Sequence, residues 1–280
     1  MGRKDGKRVK NVDLMYSIVP YIMDKRYDAL NAITVRVPYD PMHEYIRKMH
    51  KEKGIDISHL CLVTAAYVRA VSQHKALNRF IVNKKIYKRD GIWVGMVVLR
   101  PGETESTMTK VRFEPTDTIF DVNEKMMKMI NDNNNQAGSN STDKLMKTLT
   151  SVPGLLKTGV ALIKFADKHG LLPRAIIDAS PFHVSMVISN LASIRTNHIH
   201  HHVYEFGTTG MLVTMGNSQY IPKQKANGEI ELERQMPLGV VMDERIASGS
   251  YFAKAFATLR RVLKNPELLE VPPETLDLED

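Results

Sequence analysis

The sequence predicts an α/β protein, on three observations. Two segments near the front carry apolar residues at three-and-four spacing, first Met42, Tyr45, Ile46 and Met49, then Leu62, Ala65, Ala66, Val68 and Val71, and both read as helices. Short apolar and β-branched runs at 84–87, 92–99 and 107–113 read as strands. The last third reads as strands again, at 183–189, 211–215, 230–233 and 238–243, before a closing helix at 250–264. With 280 residues, 43% of them hydrophobic and 25% charged, the chain has globular proportions, which exclude a disordered, collagenous or coiled-coil protein.

Taken in order, Arg3, Lys4, Lys7, Arg8 and Lys10 supply much of the net charge of +8, and residues 1–11 are expected to be a basic, flexible tail. Asp40-Pro41 opens the first helix and Gly54 stops it, and Ser58 stands where the second needs an N-cap. Lys84–Tyr87 and Ile92–Leu99 are joined by the turn Lys88-Arg89-Asp90-Gly91. After the strand Thr107–Phe113, Asp117 or Thr118 caps a helix through Met126, Met127, Met129 and Ile130, whose methionines read as core filler. Asn131–Ser141 is polar and rich in Asn, the composition of a loop that a protease cuts first. Leu155, Leu156, Val160, Ile163, Phe165 and Ala166 form a helix whose apolar coverage exceeds one stripe, so ordinary burial is expected, with a partner or lipid surface as the alternative. The closing helix ends at Asn265-Pro266, and the acid-rich end, 271–280, is expected to be a loosely held tail.

Several chemistries are excluded at once. The single cysteine, Cys61, rules out a disulfide framework and cysteine-based zinc or iron–sulfur sites, and its apolar neighbours make it a core thiol. No apolar run approaches the roughly 20 residues of a membrane span, and no apolar core follows Met1–Arg8 as a secretory signal would require. Gly6 stands where myristoylation would want Ser or Thr. A cytoplasmic protein with no membrane and no nucleic-acid partner is expected, since the basic balance comes without a nucleic-acid motif. Neither a glycine-rich phosphate loop nor a G-x-S-x-G elbow is present. The run His198-Ile199-His200-His201-His202 is the most conspicuous cluster; alternation along an extended chain puts His200 and His202 on one face and His201 on the other. With Glu205 as its one nearby acid the run matches no zinc spacing, so no metal is expected, although any of these imidazoles can serve as acid or base near neutral pH.

The stretch from Leu238 to Phe256, closed by Asn265-Pro266-Glu267-Leu268-Leu269, is a strand, a tight loop and a helix. It resembles the end of the catalytic domain of the 2-oxoacid dehydrogenase acyltransferases, which read D-H-R-x-x-D-G there and share a fold with chloramphenicol acetyltransferase. His183–Asn190 with Leu191 resembles that family's F-T-I-S-N-L-G segment, and Met211–Gly216 its A-I-L-G strand. Gly54–Asn78 and Ile86–Leu99 are similar to its K-A-x-x-x-A-L helix and N-I-G-x-A strand. The resemblance covers residues 12–270, as a stand-alone catalytic-type domain without lipoyl or subunit-binding domains.

The resemblance implies a chloramphenicol acetyltransferase-like two-layer sandwich, a mixed sheet flanked by helices, assembled as a homotrimer with its active site between subunits. It implies CoA or acyl-CoA as a substrate, a lipoyl-type or other thiol as acceptor, and no tightly bound cofactor or metal. Carried over by position, the hydroxyl that steadies the oxyanion falls on Ser189 and the arginine of an Asp–Arg pair on Arg26. The base histidine falls on Glu244 and the paired acid on Ser248, and both depart from the pattern. An ordinary carboxylate is about four units too weak to deprotonate a thiol near 8.5. Glu244 therefore reads equally well as a structural partner for Arg26, with His200, His201 or His202 as a replacement base. Two functions follow: a CoA-dependent acyltransferase with an altered site, or a catalytically inactive trimeric scaffold on the same fold.

Overall fold

The structure is a computed structural model that describes residues 3–99, 106–135, 151 and 155–279. The chain begins with β1 (Gly6–Arg8), α1 (Leu14–Ile22), β2 (Leu30–Pro38), α2 (Asp40–Lys48) and α3 (His59–Gln73). Then come β3 (Arg79–Val82), β4 (Lys85–Arg89), β5 (Ile92–Leu99), β6 (Ser106–Phe113) and α4 (Ile119–Asn135). After α5 (Leu155–Lys168) and α6 (Arg174–Ala179) it closes with β7 (Met186–Asn190), β8 (Met211–Met215), β9 (Gln219–Gln224), β10 (Ile230–Asp243) and α7 (Gly249–Lys264). No described helix is long and apolar enough to cross a membrane.

Among the described residues, seven strands form the main sheet in the order β2-β10-β8-β7-β5-β6, with β9 also on β10. β7 runs parallel to β5 and β8, and the other neighbours are antiparallel, so the expected mixed α/β sheet is what the chain builds. Alternation divides the sheet between two environments. Val35, Ile188, Val213 and Val240 point into the main core, where α3 and α7 pack against one another. Val187, Leu212 and Val241 point the other way, into a small cluster closed by Val203. That second face, on which Lys110 donates to the Ile177 carbonyl of α6, is where the candidate site lies.

Local chemistry fixes the helix ends. Ser58 caps α3 as expected, its hydroxyl accepting from the Cys61 N–H at 3.1 Å. Gly54 takes φ +65° where the α2 segment stops, a conformation glycine adopts at little cost. α3 is buried from Cys61 through Ser72 because neighbours enclose it on all sides, and Cys61 lies deep in the core with burial pushing its thiol up to about 12.

Five expectations change. The turn after β4 is shorter than 88–91, since β4 continues through Arg89. The two runs at 230–233 and 238–243 are one strand, with Pro237 at the junction where β9 hands over to β8 and the ladder loses least. Asn131–Asn135 is the last turn of α4 rather than loop, because asparagine costs a helix only about 0.7 kcal/mol or less per residue once Val122 and Met126 anchor it; residues 136–141 lie outside the described residues. α5 is not buried within the chain, with Leu162 68% and Phe165 57% exposed. Described residues near both ends have fixed partners. Arg3 is buried in ion pairs with Asp5 at 2.7 Å and Asp167 at 2.8 Å, and β1 pairs with β4. At the other end Glu279 is held bidentately by Arg79. Charge that composition alone assigns to solvent is here satisfied by fixed partners.

Candidate active site

The end of β10 carries a buried ionic centre. The Asp243 carboxylate, 1% exposed, accepts from Arg245 Nε at 2.8 Å, Arg245 Nη2 at 2.7 Å and the Arg245 backbone N–H at 3.1 Å. Arg26 Nε approaches the same carboxylate at 3.4 Å. Arg26 donates through its terminal nitrogens to the carbonyls of Tyr204, Glu205 and Gly207, and its backbone N–H donates to Glu205 Oε2 at 2.8 Å. Two guanidiniums on one carboxylate leave an excess positive charge, which these carbonyl dipoles offset. Burial pulls the Arg26 pKa down. For Arg245 burial acts in the same direction, but the Asp243 hydrogen bonds and charge outweigh it and the pKa is raised.

Arg26 thus keeps a carboxylate partner, and the partner is Asp243, not Glu244. Glu244 begins the turn beyond β10, where its N–H donates to the Ala29 carbonyl at 2.8 Å and its Oε2 accepts from Asn31 Nδ2 at 2.9 Å on the surface. Ser248 caps α7, its hydroxyl accepting from the Tyr251 N–H at 3.2 Å, so a helix terminus occupies the hydroxyl where the resemblance places an acid.

Ser189 stands elsewhere, on β7. Register places Thr34, Gly239, Thr214 and Ser189 in one row across β2, β10, β8 and β7, all facing the same side as Val187, Leu212 and Val241. The Ser189 side chain makes no hydrogen bond among the described residues. Asp243 lies four residues beyond Gly239 along β10, so at ~3.3 Å per residue the two are about 13 Å apart along the strand alone. Within one chain, Ser189 and the Arg26–Asp243 centre do not form a common site.

The histidine run crosses the same row. Thr214 Oγ1 receives the Ile199 N–H at 3.0 Å and donates to the Ile199 carbonyl, pinning the segment to β8. Two glycines make room for it: a Cβ at Gly239 would lie 2.2 Å from the Ile199 carbonyl oxygen, and one at Gly216 would lie 2.3 Å from the His198 nitrogen. Thus seated, His198 Nε2 and His200 Nε2 converge on the Thr34 hydroxyl at 3.0 and 3.3 Å. A hydroxyl carries one proton, so with both bonds made at most one imidazole accepts from it and at least one donates to it. Burial, then the His200 charge, lowers the His198 pKa. His201 and His202 do not alternate as an extended chain would. Their rings stack at 4.5 Å, and His201 Nδ1 lies 2.8 Å from the His202 carbonyl, so neither makes the Thr34 contact. Among the described residues no group of three or more His, Cys, Asp or Glu could hold a metal ion.

No protein-family profile matches the chain, and no curated protein matches its sequence. Solved structures do match. A probable dihydrolipoamide acetyltransferase from Listeria monocytogenes superposes with a TM-score of 0.59 at 11% identity, over 91% of this chain and 94% of that one. The Azotobacter vinelandii dihydrolipoamide acetyltransferase, in a structure addressing a serine, a histidine and an asparagine in its catalytic mechanism, gives 0.60 at 9% identity over 94% of each chain. Chloramphenicol acetyltransferase gives 0.56 at 12% identity over 92% of this chain and 99% of that one. The chain has the chloramphenicol acetyltransferase fold.

On that fold the chain carries residues that motif reading passes over. Asp243 was hidden because the family pattern directs attention to the two positions after it that differ. Thr34, Gly216 and Gly239 carry no motif signal at all. Only the sheet register, unknown before the strand order, brings them under the histidine segment.

Proposed function

We propose that this protein is an acyltransferase that works as a homotrimer, moving an acyl group between CoA and a thiol or other acceptor. The observation that carries the reading is the Ser189 row: an unengaged hydroxyl on the open face of an acetyltransferase-fold sheet, shared with a fixed pair of imidazoles. In the proposed reaction an imidazole of the His198–His200 pair, three strand spacings or about 14 Å from Ser189 within one chain, serves the Ser189 of a neighbouring subunit: it takes the thiol proton and the thiolate attacks the acyl carbonyl. The Ser189 hydroxyl donates to the oxyanion, and the departing thiolate takes the proton back. Glu244 has no part in proton transfer; Arg26, Asp243 and Arg245 hold the end of β10 in place. Assembly is supported by the uncovered apolar faces of α1 and α5, such as Leu14 at 78% exposure, and by the separation of Ser189 from the Arg26 centre within one chain.

One observation favours the non-catalytic scaffold: the two positions where the resemblance puts base and acid are committed to a surface hydrogen bond and a helix cap. Acyl-CoA turnover with dihydrolipoamide and simple thiols separates the readings. The enzyme reading expects a mass near three times 31.7 kDa. It also expects measurable turnover, a loss of about 100-fold or more in Ser189→Ala, a comparable loss in His198→Ala or His200→Ala, and little change in Glu244→Gln. A well-folded trimer with no turnover on any acyl-CoA leaves the scaffold.

A further inference from the structure

A second site lies away from the Ser189 face, between the N-terminal segment, β4 and the C-terminal strap. The cleft holds about 450 Å³, within the range of small-molecule pockets, and seven cationic side chains line it against three acidic ones, Arg3 among the seven being already paired with Asp5 and Asp167 behind the wall. Two of those acids, Asp90 and Glu114, are engaged by Arg112 at 3.8 and 3.4 Å. The third is Glu279, from the strap itself. Lys4 and Lys7 on the rim have no acidic partner among the described residues, and Lys88 spends its ammonium on the Glu279 carbonyl at 2.7 Å. On the wall, Arg89 is 7% exposed and bonds Thr208 through both terminal nitrogens, yet its Nε is buried without a partner.

The strap supplies what the cleft lacks. Asp277 pairs with Lys75 at 3.1 Å, its N–H donates to the Ser72 carbonyl at 2.8 Å, and the Glu279 carboxylate sits in the Arg79 fork at 2.6 and 2.7 Å. Asp277 therefore neutralises Lys75 on the cleft wall, and Glu279 brings the strap's negative charge into the lining. Lysines act as point charges and guanidiniums as directed forks, and together they suit clustered phosphate oxygens better than a lone carboxylate.

We propose that this cleft binds a small phosphorylated anion carrying a di- or triphosphate group, and that the acidic C-terminal strap is its tethered competitor. The proposal does not rest on acyl transfer. Titration calorimetry of the full-length protein with sodium tripolyphosphate at low ionic strength tests it. Saturable binding is expected, one ligand per chain, weakening steeply with added salt. Asp277→Asn with Glu279→Gln, which keeps the strap but removes its charge, is expected to tighten binding about tenfold by weakening an intramolecular competitor. Lys4→Glu with Lys7→Glu, both on exposed side chains, is expected to weaken it at least tenfold with an unchanged melting temperature. ATP binding as tightly as tripolyphosphate means that the cleft reads phosphate alone, and tighter binding means that a base adds contacts. The proposal is overturned if the strap variant shows no saturable binding, or if the lysine reversals leave affinity unchanged. It is also overturned if a peptide of the strap sequence binds the strap variant while tripolyphosphate does not.

Discussion

Replacing Asp243 with asparagine tests whether one carboxylate holds two buried guanidiniums. Asp243 is 1% exposed and Arg26 2%, so both charges are largely removed from solvent. The carboxylate accepts three hydrogen bonds from Arg245 at 2.7–3.1 Å and faces Arg26 Nε at 3.4 Å. Asparagine keeps the shape and one acceptor oxygen, but it carries no charge and turns an amide NH₂ towards N–H donors. Removing one partner of a buried ion pair costs about 3–5 kcal/mol, and with two cations stranded the upper half of that range is expected. At about 2–4 °C per kcal/mol for a large domain, the melting temperature should fall by on the order of 10 °C or more. The neighbouring Glu244→Gln removes a charge bonded only to Asn31 at the surface and should stay within about 0.5 kcal/mol of the natural protein. Denaturant unfolding of the two variants side by side gives the answer. If Asp243→Asn lies within about 1 kcal/mol of Glu244→Gln, or is the more stable of the two, the ionic-centre reading fails.

Two further outcomes follow from the geometry. Gly239→Ala puts a methyl 2.2 Å from the Ile199 carbonyl oxygen, so it should lift the histidine segment, break its two bonds to Thr214 and cost about 2–4 kcal/mol; Gly249→Ala, with nothing within 4 Å, should be neutral or slightly stabilising, and equal urea midpoints for the two would contradict the cradle. His59 sits in a stack with Tyr39 and His43, where burial, then the charges of His43 and Arg234, lower its pKa to about 4. The unfolded chain binds a proton there near pH 6.5 and the folded chain does not, so this contribution is complete above about 6.5 and is lost as pH falls towards 4. His59→Phe keeps the stack and removes the titration, so parallel pH dependence in variant and natural protein would be the failing result.

Much of the architecture was legible because it rests on local signals. Ser58 and Gly54 mark their helix boundaries through capping and a left-handed φ, and both do so in the structure. The helix closed by Asn265-Pro266 and the strand entering it are equally plain. What escaped was decided by long-range partners. Leu30–Pro38 alternates poorly because it is an edge strand with one half-solvated face, so β2 gave no clear pattern. The basic segment at residues 3–8 reads as solvated until Asp167, 164 positions away, is seen beneath Arg3. The site divides the same way. Ser189 and Arg26 were reachable through a family motif, whereas Asp243, Thr34 and the two glycines matter only through the register and the loop laid across it.

The position of the arginine's partner bears on where chemistry can take place. The resemblance puts that acid at the N-terminus of the last helix, where the helix dipole favours an anion; this chain has Ser248 there, and the hydroxyl performs the capping instead. From the strand end, Asp243 reaches Arg26 and Arg245 together and also accepts the Arg245 N–H, so the turn is tied down by polar contacts from inside. A turn fastened in this way has its ionic groups mutually committed, and Glu244 between them is bonded outward to Asn31. A base there would have neither a paired acid to orient it nor freedom to approach a thiol. On the sheet face that carries Val187, Leu212 and Val241 the opposite holds: Ser189 has no partner among the described residues, and two imidazoles meet one hydroxyl. Proton transfer needs groups that are held but not spent, and in the proposed enzyme that condition is met over the Thr34–Ser189 row.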